Sequence, residues 1–183
     1  MSKKEKILIV SLIIILAATS RLAKHPYNFT PVVAMSLFAG FYLKKYWGVL
    51  IPLLGMLLSD SIIGFYDWQV MASVYLSIIL AFYIAYFFSR IKWYKVIFLS
   101  LASSISFFII TNFAVWAFFD WYPHTWHGIS ACFIAALPFF RNTLTGDLIY
   151  SYILFGAYQA VLAFSDNKTK NILKQKGKTN QII

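Results

Sequence analysis

Long apolar runs separated by short polar segments dominate this chain of 183 residues. A helix rises about 1.5 Å per residue, so crossing an apolar bilayer core of about 30 Å takes about 20 residues. The apolar runs and their charged or aromatic ends therefore predict six spanning helices. We place these helices at about 6–21, 31–44, 47–65, 69–89, 94–118 and 144–165.

Two segments of this pattern are unusual. The helix at 31–44 is short for a span and is expected to be tilted or partly buried. Thr30 can cap it, and Pro31 suits a first turn that needs no backbone donor. The run 128–137 is apolar, but Pro138 ends it before it can span. We predict a re-entrant or interfacial helix there, because a seventh span would place the basic C-terminal segment outside.

The composition supports the same class. Hydrophobic residues make up 61% of the chain and charged residues 12%, whereas a soluble globular domain is about 25% charged. The predicted fold is all-α, an integral membrane bundle of six transmembrane helices with the re-entrant or interfacial helix before the last. One transmembrane domain, 1–166, precedes a basic cytoplasmic tail, 167–183. The basic start and the apolar run 7–18 also fit a signal peptide, but we expect this segment to be retained as the first span.

The basic residues are sorted along the chain. With the N-terminus in the cytoplasm, thirteen of the sixteen Lys and Arg residues fall on the cytoplasmic side, and only Arg21, Lys24 and Arg141 fall outside. Both termini are therefore predicted to be cytoplasmic. Topology explains the net charge of +10 without a nucleic-acid partner, and the basic tail can lie on anionic lipid.

The predicted outer face collects chemically useful side chains. It consists of the segments 21–30, 64–70 and 120–142, which contain all three histidines of the chain. An aromatic belt at the membrane surface accounts for most of the Trp and Tyr residues there, but less well for the histidines. Together with polar residues inside the spans, these segments give the candidate ligand-binding residues, which are Arg21, His25, Asn28, Asp60, Asn112, Trp116, His124, His127, Arg141 and Asp147.

Two acids lie within the predicted spans, where an ionisable group normally faces the bundle interior or a cavity. They are Asp60 and Asp147. Asp67 lies just beyond the third predicted span, seven residues after Asp60, and would share a helical face with it. Asp60 either forms a salt bridge with Arg21 or Arg141 or contacts the ligand. Asp147 either caps the N-terminus of its own helix, pairs with Arg141, or contacts the ligand.

Other polar features also have two interpretations. Asn112 either joins helices through its amide or binds the ligand. His124 and His127 are three residues apart, which can bring two imidazoles to one metal ion, but Pro123 disfavours a regular helix there. Cys132 is the single cysteine, so no disulfide forms within the chain, and its thiol is either packed or a soft-metal ligand.

The chain contains five short motifs of polar and aromatic residues, which are Arg21-x-x-x-His25-Pro26-x-Asn28-Phe29-Thr30-Pro31, Leu58-Ser59-Asp60, Thr111-Asn112-Phe113-x-x-Trp116, Leu137-Pro138-Phe139-Phe140-Arg141-Asn142 and Gly146-Asp147. Through these motifs, over roughly residues 21–156, it resembles a family of small uncharacterised bacterial integral membrane proteins. The resemblance implies a multi-pass protein of the bacterial cytoplasmic (inner) membrane.

The layout more loosely resembles the S components of energy-coupling factor vitamin transporters, including the solitary cobalamin-binding type. Those proteins have six helices, cytoplasmic termini and an outer pocket under the loops after the first, third and fifth helices. The resemblance implies that a vitamin-like molecule binds at the outer face and is released inward when the protein topples in the membrane. Cobalamin is then a candidate ligand, with Cys132 as the only cysteine available to its cobalt.

One feature departs from the S components. Many of them dock on the shared transmembrane partner through an Ala-x-x-x-Ala surface on the first helix, whereas here the first predicted helix lacks such a pair and one, Ala81 and Ala85, lies in the fourth. A need for an energy-coupling module is therefore open.

The predicted function is that of a membrane-embedded substrate-binding protein for uptake of a small vitamin-like molecule. Its partners are the lipid bilayer and the ligand, and it needs no cofactor. A membrane enzyme with a His/Asp metal site at the outer face is one alternative. A structural membrane scaffold subunit, whose polar groups only lock helices together, is the other.

Overall fold

The computed structural model of the chain describes residues 3–24, 26–43, 46–88 and 92–179. Within these ranges the chain forms helices, a short 3-10 turn at Ser20–Leu22 and connecting loops, without any strand. The predicted all-α class is confirmed. The six α-helices are α1 (Lys3–Thr19), α2 (Val32–Tyr42), α3 (Tyr46–Ile63), α4 (Trp68–Tyr86), α5 (Trp93–Phe118) and α6 (Trp126–Thr179).

Among the described residues, four helices have the length and apolar composition of membrane spans. They are α3, α4, α5 and, up to Ser165, α6. Large apolar side chains cover their outward surfaces, and Leu58, Phe98 and Tyr152 are each more than 60% exposed. A surface of this kind is stable in lipid and unfavourable in water. The helices therefore indicate a membrane protein, while the predicted number of six spans is not confirmed.

α2 lies at the centre of the bundle and is too short to be a span. Its eleven residues cover about 16 Å, roughly half of an apolar bilayer core. It contacts all five other helices, and its residues from Val32 to Gly40 are all buried. The predicted span at 31–44 is thus a buried half-length helix. Pro31, and not Thr30, occupies its capping position, and a proline side chain offers no acceptor to the first backbone N–H groups.

α6 is one continuous helix of 54 residues, so the prediction of a separate re-entrant or interfacial helix before the last span is wrong. Pro138 lies inside α6. Membrane helices tolerate the backbone hydrogen bond that a proline removes, because neighbouring helices and hydroxyl side chains satisfy the freed groups. The run 128–137 packs along α5, where Cys132 Sγ lies 3.6 Å from the carbonyl oxygen of Asn112. It therefore joins the predicted last span, and the same helix continues through most of the predicted tail.

Contacts between the antiparallel helices α5 and α6 show how deep in the bundle α2 begins. The ring centroids of Phe108 and Phe140 are 4.5 Å apart. One turn further along, Ser104 Oγ donates a hydrogen bond of 2.7 Å to Asp147, which also contacts the first turn of α2. Ser104 lies about 21 Å along α5 from the end of that helix at Phe118. α2 therefore begins near the middle of the bundle.

Aromatic side chains hold α2 against α6 in one half of the bundle. Phe38 packs edge-on against Phe155 with centroids 5.3 Å apart, and Tyr42 lies 4.2 Å from Tyr158. Each such pair adds about 0.5–1.5 kcal/mol beyond the burial of its surface. α2 thus fills the half of the bundle that contains its own C-terminus and leaves space beyond its N-terminus.

The packing of α2 against α4 is close enough to require a glycine. A Cβ atom at Gly40 would lie 2.5 Å from the carbonyl oxygen of Phe82 and 2.7 Å from Cβ of Ala85. Ala81 and Ala85 are fully buried in the same cluster. The Ala-x-x-x-Ala pair therefore packs helices together inside the bundle and presents no docking surface.

We expect Gly40→Ala to lower the free energy of unfolding by about 1–3 kcal/mol, the usual cost of overpacking a close-packed core. Gly156→Ala is the matched control, because a Cβ atom there meets nothing within 4 Å and alanine is the better helix former. Thermal unfolding in detergent should leave the midpoint of the control unchanged or raised. Equal stability of the two variants would show that α2 and α4 are not in close contact.

Candidate functional site

Three connections meet at the same end of the bundle, which we call the loop end. They are residues 20–31, 64–67 and 119–125. Arg21 forms an ion pair with Asp60 near the end of α3, and the ring centroid of Trp68 lies 6.4 Å from that of Phe118. The loop end therefore brings together the segments that the charge pattern assigns to the outer face.

A cavity of about 210 Å³ lies at the loop end, beyond the N-terminus of α2. α4, α5 and the first part of α6 form its walls, and Asn28 reaches it from the α1–α2 connection. The cavity exists because α2 fills only the opposite half of the bundle. Its lining residues are Asn28, Val70, Val74, Phe107, Phe108, Thr111, Asn112, Val115, Ala136, Phe139, Phe140 and Thr143.

The α1–α2 connection is held in place at the cavity. Asn28 has a φ of 61°, in the left-handed region that Asn tolerates better than most residues. Asn142 Nδ2 donates a hydrogen bond of 3.0 Å to the carbonyl oxygen of Tyr27. At Gly146, an added Cβ atom would lie only 3.3 Å from Cα of Phe29, so the glycine lets the connection approach α6. Non-helical backbone at membrane depth is tolerated where it lines a cavity.

The polar side chains of the cavity walls present acceptor oxygens. Thr111 Oγ1 donates its proton to the carbonyl oxygen of Phe107 at 2.8 Å, and Thr143 Oγ1 donates to that of Phe139 at 3.2 Å. Asn112 Nδ2 donates to a backbone carbonyl in the same way. Because these hydroxyl protons are engaged, the hydroxyl oxygens and the amide oxygen of Asn112 remain as acceptors, and the second N–H of the Asn112 amide remains as a donor.

Asp147 lies at the N-terminus of α2 and is 1% exposed. Its carboxylate accepts hydrogen bonds from Ser104 Oγ and from the backbone N–H groups of Val33 and Ala34. First-turn N–H groups have no partner within their own helix, so Asp147 caps α2 from another helix. It lies far inside α6 and does not cap its own helix. In the described part of the chain it pairs with no basic side chain, Arg141 included.

Arg21 and Asp60 form a buried ion pair that does not line the cavity. Arg21 Nη1 lies 2.8 Å from Asp60 Oδ1, with the side chains 12% and 1% exposed. Arg21 also donates to Ser59 Oγ, and the Tyr75 hydroxyl donates to Asp60 Oδ2 at 3.1 Å. The pair ties the end of α1 to α3 and α4. Of the interpretations of Asp60, the salt bridge with Arg21 is the one the structure shows.

Asp67 and Tyr66 lie in the short α3–α4 connection. α3 ends at Ile63, and Gly64 has a φ of 115°, so the prediction that Asp60 and Asp67 share a helical face is wrong. Asp67 is exposed at the N-terminus of α4. Burial raises the pKa of Tyr66 to about 12, and the carboxylate of Asp60 adds to the increase. The Tyr66 phenol is therefore protonated at neutral pH.

Trp116 and His124 contact each other at the α5–α6 connection. Trp116 Nε1 donates a hydrogen bond of 3.0 Å to the carbonyl oxygen of Pro123, and its ring meets that of His124 edge to face at 5.4 Å. Both border a surface cleft of about 420 Å³, together with the exposed Phe113 and Trp126. Exposed aromatic residues at this end are typical of the aromatic belt of a membrane protein.

The remaining candidates are dispersed. His127 and Arg141 are exposed and line neither space, and His25 lies outside the described residues. Cys132 is buried and does not line the cavity. Within the described ranges, no three His, Cys, Asp or Glu side chains form a group able to hold a metal ion. The interpretation of His124 with His127 as a metal site thus has no geometric support in the part of the chain that the structure describes.

Thr111 and Thr143 line the cavity but are not among the predicted residues. A signal for both is present in the sequence. Thr143 precedes Asp147 by one helical turn, and Thr111 follows Ser104 by seven residues, so each shares a helical face with one partner of the Ser104–Asp147 hydrogen bond. This signal becomes readable only once α5 and α6 are known to be adjacent.

Comparisons with known proteins give a family and no assigned function. Residues 1–171 match a family of unknown function (DUF6580), and the chain belongs to that family. No curated protein and no solved structure matches the chain. The predicted resemblance to an uncharacterised family is confirmed at this level. The individual motifs and the likeness to S components stay predictions.

Proposed function

We propose that this family member is a membrane-embedded binding protein that takes up a small polar molecule through the cavity at its loop end. The half-length helix α2 carries the proposal, because it leaves a cavity of about 210 Å³ in the other half of the bundle. Ligand sites are mostly apolar cavities with a few placed polar groups. In many transporters they lie beside discontinuous helices near the membrane midplane. Both features support a binding role.

The charge pattern supports inward transport. In the sequence, thirteen of the sixteen basic residues fall outside the segments 21–30, 64–70 and 120–142. By the positive-inside rule, these three segments then face outward and both termini lie in the cytoplasm. The resemblance to S components supports the same direction and a location in the bacterial inner membrane. Ala81 and Ala85 are buried inside the bundle, so this pair offers no contact for an energy-coupling module, and the need for such a module stays open.

The cavity favours a ligand smaller than cobalamin. Its volume of about 210 Å³ lies below the range of about 300–1,000 Å³ that is usual for drug-sized ligands. Cys132, the residue that would bind cobalt, does not line it. Polar contacts come from the threonine hydroxyl oxygens and the asparagine amides, and phenyl rings pack against the rest of the ligand. The proposed contact residues are Asn28, Phe107, Phe108, Thr111, Asn112, Phe139, Phe140 and Thr143.

Filling the cavity tests this function. Ala136 lines the cavity, whereas its neighbour Ala135 is exposed and does not. We expect Ala136→Trp to reduce the amount of small molecule released from the denatured, purified protein by about tenfold or more, since the indole occupies the ligand space. Ala135→Trp is the control and should release as much as the wild type. Mass spectrometry of the released fraction measures both.

Two results would overturn the binding role. One is equal release from all three proteins. The other is a wild-type protein that releases nothing and whose unfolding temperature is unchanged by a panel of vitamins, amines, alcohols and carboxylic acids.

A further inference from the structure

A small recess continues from the cavity toward the buried carboxylate of Asp147. Its volume is about 30 Å³, and it shares Asn28, Phe107 and Thr143 with the cavity. Asp147 and Val33 of the first turn of α2 also line the recess. The recess therefore connects the ligand space to the one acid that caps α2.

The volume of the recess limits what can enter it. A site needs about 10–15 Å³ of such space to hold one water molecule, so the recess, at about 30 Å³, has room for a small group. A terminal group with a single non-hydrogen atom therefore fits. The bulk of a ligand therefore stays in the larger cavity and can place only a small terminal group beside Asp147.

The polar groups around the recess select the charge of that terminal group. Asp147 is 1% exposed and faces no basic side chain in the described part of the chain. Burying a carboxylate without a cation is costly, and a cation in the recess offsets that cost. An anion is repelled by Asp147, which already occupies the positive end of the α2 dipole.

The hydrogen-bonding pattern also favours a cationic terminal group on the ligand. Thr143, which lines both spaces, and Thr111, which lines the cavity, have given their hydroxyl protons to backbone carbonyls, so both oxygens accept. An ammonium group has three donors and no acceptor. Phe107 lines both spaces, and Phe108, Phe139 and Phe140 line the cavity, where phenyl faces attract a cation.

We propose that the ligand is a small primary amine, bound with its ammonium group in the recess beside Asp147 and its body in the cavity. This assignment rests on the proposed function, because it names the ligand class of the same site. It gives Asp147 a binding role in addition to its role as the cap of α2.

Three probes test the assignment. Benzylamine and benzyl alcohol have the same shape and differ in the charge of the terminal group, benzoate carries an anionic group, and each is titrated into the purified wild-type protein by calorimetry. We expect benzylamine to bind about tenfold or more tightly than benzyl alcohol, as a buried charge pair does over a neutral contact, and benzoate not to bind. Sodium chloride is also titrated into the protein, with potassium chloride as the control, because a bare sodium ion would fit the recess.

Asp147→Asn tests the partner of the ammonium group. The variant should lose the preference for benzylamine over benzyl alcohol while it keeps the affinity for the alcohol. Asp67→Asn is the control, because Asp67 is exposed at the same end of the bundle, and it should keep the full preference. The comparison of the three probes needs only wild-type protein, so it is decisive even if Asp147→Asn does not fold.

The outcomes separate this inference from the proposed function. Equal affinity for benzylamine and benzyl alcohol, or binding of sodium ion alone, leaves the cavity as a site and overturns the amine. If none of the probes binds, the molecule released from the wild-type protein decides, and a released ligand without an amine group overturns the assignment. Absence of both probe binding and a released ligand overturns the proposed function as well.

Discussion

Arg21→Ala is expected to lower the free energy of unfolding by about 3–5 kcal/mol, because it leaves the carboxylate of Asp60 buried without its cation. Asp60 is 1% exposed, and Arg21 Nη1 is its ion-pair partner at 2.8 Å. The hydrogen bond from Tyr75 remains in the variant, but a hydroxyl does not neutralise a buried charge. Reversible unfolding in detergent or bicelles measures the loss.

Two further variants show whether the loss comes from the unpaired charge. Arg141→Ala is the matched control, since Arg141 is exposed, and an exposed substitution changes stability by about 0.5 kcal/mol at most. The double variant Arg21→Met/Asp60→Leu removes both charges and should recover most of the stability. A double variant as unstable as Arg21→Ala would contradict the ion-pair explanation and assign the loss to packing.

Asp147→Ala is expected to cost about 2–5 kcal/mol, because each buried donor left without an acceptor costs about 1–3 kcal/mol. The donors are Ser104 Oγ and the N–H groups of Val33 and Ala34. They lie deep in the bundle, where the loss of Asp147 leaves the two N–H groups without an acceptor, while Ser104 Oγ keeps its hydrogen bond to the carbonyl oxygen of Ser100. The first turn of α2 should therefore loosen, and amide hydrogen exchange at Val33 and Ala34 measures that loosening beside the global unfolding.

Two other variants, at Asp147 and at Asp67, show whether the loss of stability comes from the missing cap of α2. Asp147→Asn keeps one acceptor oxygen and should cost less than Asp147→Ala. Asp67 precedes α4 but makes no side-chain hydrogen bond to its first turn, so Asp67→Ala should cost less than about 1 kcal/mol. Unchanged exchange at the first turn of α2 in Asp147→Ala would show that this helix is capped by something else.

The sequence predicts the helices that face lipid with good accuracy. The predicted spans 69–89 and 94–118 correspond to α4 at Trp68–Tyr86 and α5 at Trp93–Phe118. These helices are delimited by charged or aromatic residues at the ends of long apolar runs, and the thickness of the bilayer fixes their length. A local pattern is sufficient where the solvent around the helix, and not a neighbouring helix, decides where it ends.

The prediction from sequence is wrong where a helix is surrounded by other helices and not by lipid. α2 is as apolar as a span but is enclosed by five other helices, so its length is not tied to the membrane. Pro138 is an end signal in sequence, yet it lies within α6. Whether a proline ends a helix depends on which neighbours can satisfy the freed backbone groups, and these are distant in sequence.

The candidate site shows the same division. The sequence by itself determined the membrane class, the all-helical fold and the set of polar residues at one end, because composition and apolar run length are local properties. Only the tertiary structure decided that Asn28 and Asn112 line the cavity and Asp147 the adjoining recess, while Arg21 and Asp60 form a pair elsewhere. The physical reason is the depth of α2. By stopping near the middle of the bundle, this helix creates the cavity and takes Asp147 as its cap, and its depth is set by packing against all the other helices.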